Sequence, residues 1–100
     1  MQKIKLLSHN VTLNVNDPST WVESGMGRCY LPKLEILINS NMAAEIQGST
    51  LIHELMHMIA DMHSVEITEQ QIDAMSLGIY SFIKENPKMI DNIVKGKSLN

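Results

Sequence analysis

The segment His-Glu-Leu-Met-His at residues 53–57 constrains this chain more than any other feature, because it places two histidines four residues apart. On an α-helix, positions i and i+4 lie on one face, so His53 and His57 would present their imidazoles together. Two adjoining apolar stripes run along the same predicted helix, formed by Leu51, Leu55, Met58 and Met62 and by Ile52, Met56 and Ile59. A helix with so wide an apolar surface is largely buried. Its buried polar side chains need partners, and a metal ion would supply one.

Glu54 follows the first histidine and projects about 100° around the helix from it. Two imidazoles in this arrangement can bind one Zn²⁺ at about 2.0–2.1 Å, and zinc lowers the pKa of a bound water toward about 7. Glu54 is then placed to take the proton of that water as a general base and to pass it to a leaving amine. The competing interpretation is a structural helix that carries two histidines and no metal.

A third zinc ligand must come from elsewhere, because catalytic zinc usually keeps three protein ligands and one open position. His63 lies six residues beyond His57 and points to a different helical face, and Glu66 falls in a connector. Glu69 and Asp73 are four residues apart on the next predicted helix, which can turn this face toward the histidines if it folds back antiparallel. A count of helical levels favours Asp73 as the residue opposite His57. The helix dipole alone would also explain an acid at Glu69.

These motifs resemble those of zincin metallopeptidases in which a glutamate on a second helix completes the zinc site. The glutamate helix of such enzymes has the pattern Glu-x-x-Ala-Asp, and residues 69–74 read Glu-Gln-Gln-Ile-Asp-Ala, with Ile72 where the pattern has a small residue. The resemblance implies that Glu69 is the third ligand and that Asp73 orients a ligand imidazole. Because the level count favours Asp73, it stays the alternative third ligand.

The overall similarity is to small metallopeptidases of phage and bacteria that are grouped with the ImmA/IrrE and SprT-like proteins. It covers residues 28–90 and is carried by Thr-Leu-x-His-Glu at 50–54 and by the Asn86-Pro87 helix end. It implies a zinc-dependent peptidase that acts on a peptide or protein substrate, possessing an edge strand that binds the substrate backbone. Residues 34–38 are expected to form that edge strand. The alternative function is a catalytically inactive zinc-binding zincin module that acts as an interaction or regulatory protein.

The β-like character of residues 1–40 and the helical character of residues 41–96 predict an α+β fold in one domain, 1–100. Residues 4–7 and 11–15 are expected to form a hairpin or one bent strand, and residues 29–31 and 34–38 a second β region broken at Pro32. The resulting arrangement is a small N-terminal sheet packed on the motif helix and on a following helical hairpin, as in a minimal zincin.

Capping signals predict where the helices begin and end. Ser40 or Asn41 is expected to cap the motif helix, and Gly48 is expected to interrupt it. Residues 68–71 have the capping-box pattern, which predicts that the next helix starts there. A last helix is predicted from Pro87, at its first position, to a stop at Gly96.

The net charge of −3 and the lack of a basic stripe indicate no direct nucleic-acid partner. No segment approaches a membrane span and the N-terminus lacks a secretory signal, so we expect no membrane partner and a cytoplasmic location, in the bacterial host if the chain is phage-encoded.

Cys29 is the single cysteine and is expected to be a small buried hydrophobe. Tyr80 could donate to an oxyanion or lie in the core, and Trp21 and Arg28 could line a cleft.

Overall fold

The computed structural model describes residues 2–20 and 25–100, and within them the fold is α+β, as predicted. The strands are β1 (Gln2–Leu6), β2 (His9–Asn16), β3 (Gly27–Tyr30) and β4 (Glu35–Asn39). A short 3-10 turn covers Pro18–Thr20. The helices are α1 (Ala44–Met62), α2 (Glu69–Glu85) and α3 (Pro87–Lys95). None of the helices in the described part of the chain combines the length and the apolar character needed to cross a membrane.

Of the two alternatives for residues 4–15, the structure has the hairpin: β1 pairs with β2 in antiparallel register from Gln2↔Leu13 to Leu6↔His9. Its two-residue turn is formed by Leu7 and Ser8, whose φ angles are 49° and 68°. Positive φ at both central residues is the geometry that matches the right-handed twist of paired strands.

The sheet has the order β1-β2-β4-β3, with β2 and β4 parallel and the other two pairs antiparallel. The prediction that residues 34–38 form an edge strand is therefore wrong, because β4 lies between β2 and β3. Its side chains Ile36 and Ile38 are buried in the interior, at 0% and 1% exposure. The strand at the open edge next to α1 is β3, and Pro32 lies in the turn between β3 and β4.

The hydrophobic core lies between one face of the sheet and α1. Its buried members are Val11, Leu13, Ile36, Ile38 and Met58. The strand residues occupy alternate positions, so they share one face of the sheet, and Met58 comes from the helix that covers it. Full burial of one such side chain stabilises the fold by about 1.5–3 kcal/mol. Because this packing fixes the rotation of α1 about its own axis, the opposite face of the helix, which carries the histidines, turns away from the sheet.

Helix α1 is continuous, so the predicted interruption at Gly48 is wrong. A Cβ at Gly48 would lie 2.9 Å from Cε1 of Tyr80, which explains why a glycine stands inside a helix at this point. The N-cap is Ala43, without a side-chain hydrogen bond, so the predicted caps Ser40 and Asn41 are also wrong.

The predicted starts and stops of the other two helices are confirmed. The Thr68 amide donates to Gln71 Oε1 at 2.9 Å, and the Gln71 amide donates to Thr68 Oγ1 at 3.1 Å, which completes the capping box. Helix α3 has Pro87 in its first turn and ends at Gly96 in the left-handed conformation. Helix α2 runs antiparallel to α1 and is anchored by Ile72, which is fully buried.

Candidate metal centre

The two motif histidines lie one turn apart on the face of α1 that turns away from the sheet. The ring centroids of His53 and His57 are 4.9 Å apart and their planes are inclined at 62°. Both side chains are partly exposed, at 20% and 31%. The helical spacing therefore brings two imidazoles side by side at a surface that solvent and ligands can reach.

Glu69, the first residue of α2, reaches both imidazoles. Its Oε2 lies 3.3 Å from Nε2 of His53, and its Oε1 is in close contact with Nε2 of His57. One donor atom from each of the three residues lies within 4.8 Å of the other two, so this group could hold a metal ion. Two imidazole nitrogens and one carboxylate oxygen are a donor set that zinc accepts. The capping box before Glu69 fixes the backbone from which its side chain extends.

Asp73 contacts the opposite nitrogen of the same histidine, with Oδ1 3.0 Å from Nδ1 of His53. The structure thus separates the two acids by position. Glu69 lies on the Nε2 side of the ring, between the two histidines, and Asp73 lies on the Nδ1 side. The level count that placed Asp73 opposite His57 is wrong by about one helical turn, because α2 already starts beside His57 at Glu69.

Glu54 is largely buried, at 9% exposure, and lies beside the histidines in the same groove. Burial raises the pKa of its carboxyl group above the ordinary value of 4.5, and the negative charge of Glu69 raises it further. The charges of His53, His57 and Arg28 oppose this rise in pKa. A carboxylate with a raised pKa is a stronger proton acceptor than an ordinary one, as a general base requires.

An open groove of about 1010 Å³ runs over this face of α1, between β3 on one side and α2 on the other. His53, Glu54 and His57 lie on its floor. Arg28 from β3, one of the two residues considered for a cleft wall, lines one side, and Leu77 from α2 lines the other. The donor cluster is therefore reached from an open depression and not from a closed cavity.

The free edge of β3 borders this groove. The Asn39 amide of β4 donates to the carbonyl of Met26, the residue just before β3, at 2.9 Å, so Met26 and Asn39 form a hydrogen-bonded pair. Hydrogen-bonded and non-hydrogen-bonded pairs alternate along antiparallel strands. With the register Gly27↔Ile38 and Cys29↔Ile36, the amide and carbonyl groups of Gly27 and Cys29 point away from β4, toward the open edge.

The remaining sequence candidates lie outside the donor cluster. His63 is the C-cap of α1, and its Nδ1 contacts the carbonyl of Ile59 at 3.0 Å. Glu66 is an exposed acid of the groove wall. Tyr80 packs against Gly48, one helical turn before the histidines, which fits the core interpretation better than the oxyanion donor.

Cys29 packs against the core and also lines the groove, so it is only half-buried. Asp61 is a groove residue that the sequence analysis missed. Its position, four residues after His57 on one helical face, was the available signal. Trp21 lies outside the described residues.

Comparisons of the chain with protein-family models, with curated proteins and with solved structures found no match. The resemblance to zincins is therefore carried by the motifs in the sequence.

Proposed function

We propose that this chain is a zinc-dependent metallopeptidase in which His53, His57 and Glu69 hold the ion and Glu54 is the general base. The observation that carries the proposal is the convergence of donor atoms from two helices to within 4.8 Å of one another. Histidines four apart are a local property of α1, but the carboxylate reaches them only because α2 folds back and starts at their level. Two histidines and a glutamate are a known ligand set of catalytic zinc.

A zinc ion held by this set would supply a water of lowered pKa and a Lewis acid that polarises a carbonyl group. Asp73 supports the set because its carboxylate can accept a hydrogen bond from Nδ1–H of His53. That bond selects the tautomer whose Nε2 carries the lone pair, and Nε2 is the atom that faces Glu69.

Glu54 performs the proton transfer in this proposal. Its buried carboxylate has a raised pKa, so it can take a proton from the attacking water and hold it until the amine leaves. The same oxygen then returns the proton to the leaving nitrogen, which regenerates the ionised base.

We infer that the substrate is an extended peptide, because the groove is open and one wall is the edge of a sheet. The outward-pointing amide and carbonyl groups of Gly27 and Cys29 can pair with a peptide backbone as an added strand. The strand that fills this role is β3, and not residues 34–38, which form the interior strand β4.

The substitution Glu54→Gln tests the proposal, with metal content and hydrolysis of a fluorogenic peptide library measured on the same preparation. We expect one zinc per chain in both proteins and a loss of about 10²–10⁴-fold in hydrolysis, the usual contribution of a general base. Glu85→Gln is the control, because it makes the same change on an exposed acid at the far end of α2.

Each other outcome has a definite meaning. If the wild-type protein binds no zinc, the proposed metal site is rejected. A wild-type protein that holds zinc but cleaves no peptide is the inactive zinc-binding module. Hydrolysis that survives Glu54→Gln rules out Glu54 as the base.

A further inference from the structure

Gly27 lies where the edge strand β3 comes closest to helix α1. A Cβ built on Gly27 would lie 2.7 Å from Cγ2 of Thr50, 3.1 Å from the carbonyl oxygen of Leu37 and 3.3 Å from Cγ of Glu54. The backbone of β3 therefore rests directly on the helical turn that carries Glu54, with no space for even a methyl group.

None of the three neighbours can move aside easily. Thr50 is buried, at 7% exposure, and its β-branched side chain is stiff about χ1. The Leu37 carbonyl belongs to the backbone of the strand paired with β3. The contact on Glu54 is with Cγ, close to the backbone, so relief there would require rotation of the whole carboxylate arm.

We propose that Gly27 is a positioning residue, whose lack of a side chain sets the distance between the edge of β3 and the carboxylate of Glu54. The inference rests on the proposed peptidase function, in which a peptide added to β3 must come within reach of Glu54. A methyl group at this position would push β3 outward or rotate Glu54, and either change misaligns base and substrate.

The three metal ligands are carried by α1 and α2, and none of them is on β3. Displacement of β3 should therefore leave zinc binding intact while it impairs the chemical step. This separation distinguishes a positioning role from general damage to the fold.

The test is Gly27→Ala, with Gly78→Ala as the matched control because nothing lies within 4 Å of a Cβ at Gly78. We expect zinc content, the absorption spectrum of the Co²⁺-loaded protein and KM for a fluorogenic peptide to change little. We expect kcat to fall about 100-fold, the cost of a misplacement on the order of 1 Å. Gly78→Ala should keep the wild-type kcat.

Thr50→Ser supplies a rescue, because it removes Cγ2, the closest contact. In the double variant Gly27→Ala/Thr50→Ser, kcat should recover in part, since the contacts with Leu37 and Glu54 remain. If Gly27→Ala alone does not fold, kcat of the double variant is compared with that of Thr50→Ser, and it should still be the lower of the two.

A measurement that does not depend on activity completes the test. In urea unfolding of the metal-free proteins, Thr50→Ser should cost less stability in the Gly27→Ala background than in the wild type. Equal costs in both backgrounds, or a wild-type kcat in Gly27→Ala, would overturn the positioning role. A wild type that binds zinc without hydrolysing peptides would instead reject the proposed function, while the unfolding cycle still reports on the contact.

Discussion

Asp73 and His53 are joined through Nδ1 of the imidazole, with the Asp73 Oδ1 atom 3.0 Å away, while Nε2 of the same ring lies 3.3 Å from Oε2 of Glu69. Two acids one turn apart on α2 thus contact the two nitrogens of one histidine. Both carboxylates are otherwise well exposed, at 66% and 61%, so these contacts are what orders them. The Nδ1 side of the ring is held by Asp73, and the Nε2 side faces Glu69, where the proposed metal would lie.

This geometry predicts unequal effects of the two acids on zinc affinity. Asp73→Ala should weaken zinc binding about 10–100-fold, because His53 loses the acceptor that orients it. Glu69→Ala should weaken binding more, because it removes a ligand. Competition with a chelating dye of known zinc affinity measures both values.

Asp91→Ala serves as the control for that comparison, since Asp91 is an exposed acid on α3 paired with Lys95. Equal and small losses for Glu69→Ala and Asp73→Ala would discard both assignments. A larger loss in Asp73→Ala would exchange their roles.

Helical periodicity alone predicts the histidine pair, whereas it does not predict the positions of the two acids. The match to the zincin glutamate-helix pattern favours Glu69, which lies beside both histidines, and the helix-level count favours Asp73. His53 and His57 meet because of the fixed period of one helix. The positions of Glu69 and Asp73 depend on the level at which α2 starts, which is set by the connector and by the packing of α2 on α1. No local period encodes that level, and the helix count accordingly missed it by one turn.

The sheet shows the same division between local and long-range information. Alternation in Val11 and Leu13 predicts a half-buried strand, and the two short runs at residues 4–7 and 11–15 predict a hairpin or one bent strand. Whether β4 lies inside the sheet or at its edge depends on parallel pairing with β2, more than twenty residues earlier. Similarly, helix propensity alone predicts an interruption at Gly48, but α1 is continuous there, and the Tyr80 ring that occupies the space beside Gly48 comes from another helix.

Zinc bound as proposed should stabilise the fold, because the proposed ligands His53, His57 and Glu69 join α1 to α2. With free zinc at 1,000 times the dissociation constant, linkage gives about 4 kcal/mol of added stability. Addition of EDTA to the zinc-loaded protein should therefore lower the Tm in differential scanning calorimetry. His57→Ala should abolish this difference, and His63→Ala, an exposed histidine at the end of α1, should retain it. A Tm that does not respond to EDTA in zinc-loaded wild-type protein would contradict a metal that bridges the helices.

Cys29 should be an unreactive thiol at neutral pH. Burial, followed by the negative charges of Glu54 and Asp61, raises its pKa from 9.0 to about 11. Each pH unit below the pKa lowers the thiolate fraction tenfold, so near pH 8 the thiolate is about a hundredfold scarcer than in an ordinary cysteine. Iodoacetamide labelling followed by mass spectrometry should show a correspondingly slow rate in the native protein, which rises through pH 10.

The urea-unfolded chain is the reference for that labelling, and equal rates at pH 8 would contradict the raised pKa. The same shift affects stability. The unfolded thiol loses its proton near pH 9 while the folded thiol keeps its proton to about pH 11, so this group lowers stability as pH rises across that interval. The Cys29→Ala variant should not show this contribution to the loss of stability with rising pH.

Two glycines in helices should respond oppositely to the same substitution. Gly78 in α2 has open space around its Cβ position, so Gly78→Ala should stabilise the protein by about 0.5–1 kcal/mol through helix propensity. Gly48→Ala has the same propensity gain, but its methyl group would meet Cε1 of Tyr80 at 2.9 Å. We expect a net loss of stability in urea unfolding of the metal-free protein.

Replacing Tyr80 by alanine removes its ring and tests whether the loss of stability in Gly48→Ala comes from the contact between the new methyl group and that ring. In a Tyr80→Ala background, Gly48→Ala should become stabilising, as Gly78→Ala is in the wild type. Equal gains for both glycine substitutions in the wild type would mean that Tyr80 moves freely and does not set the spacing of α1 and α2. Because Glu69 reaches the histidines across that spacing, Gly48→Ala should also weaken zinc binding, whereas Gly78→Ala should leave it unchanged.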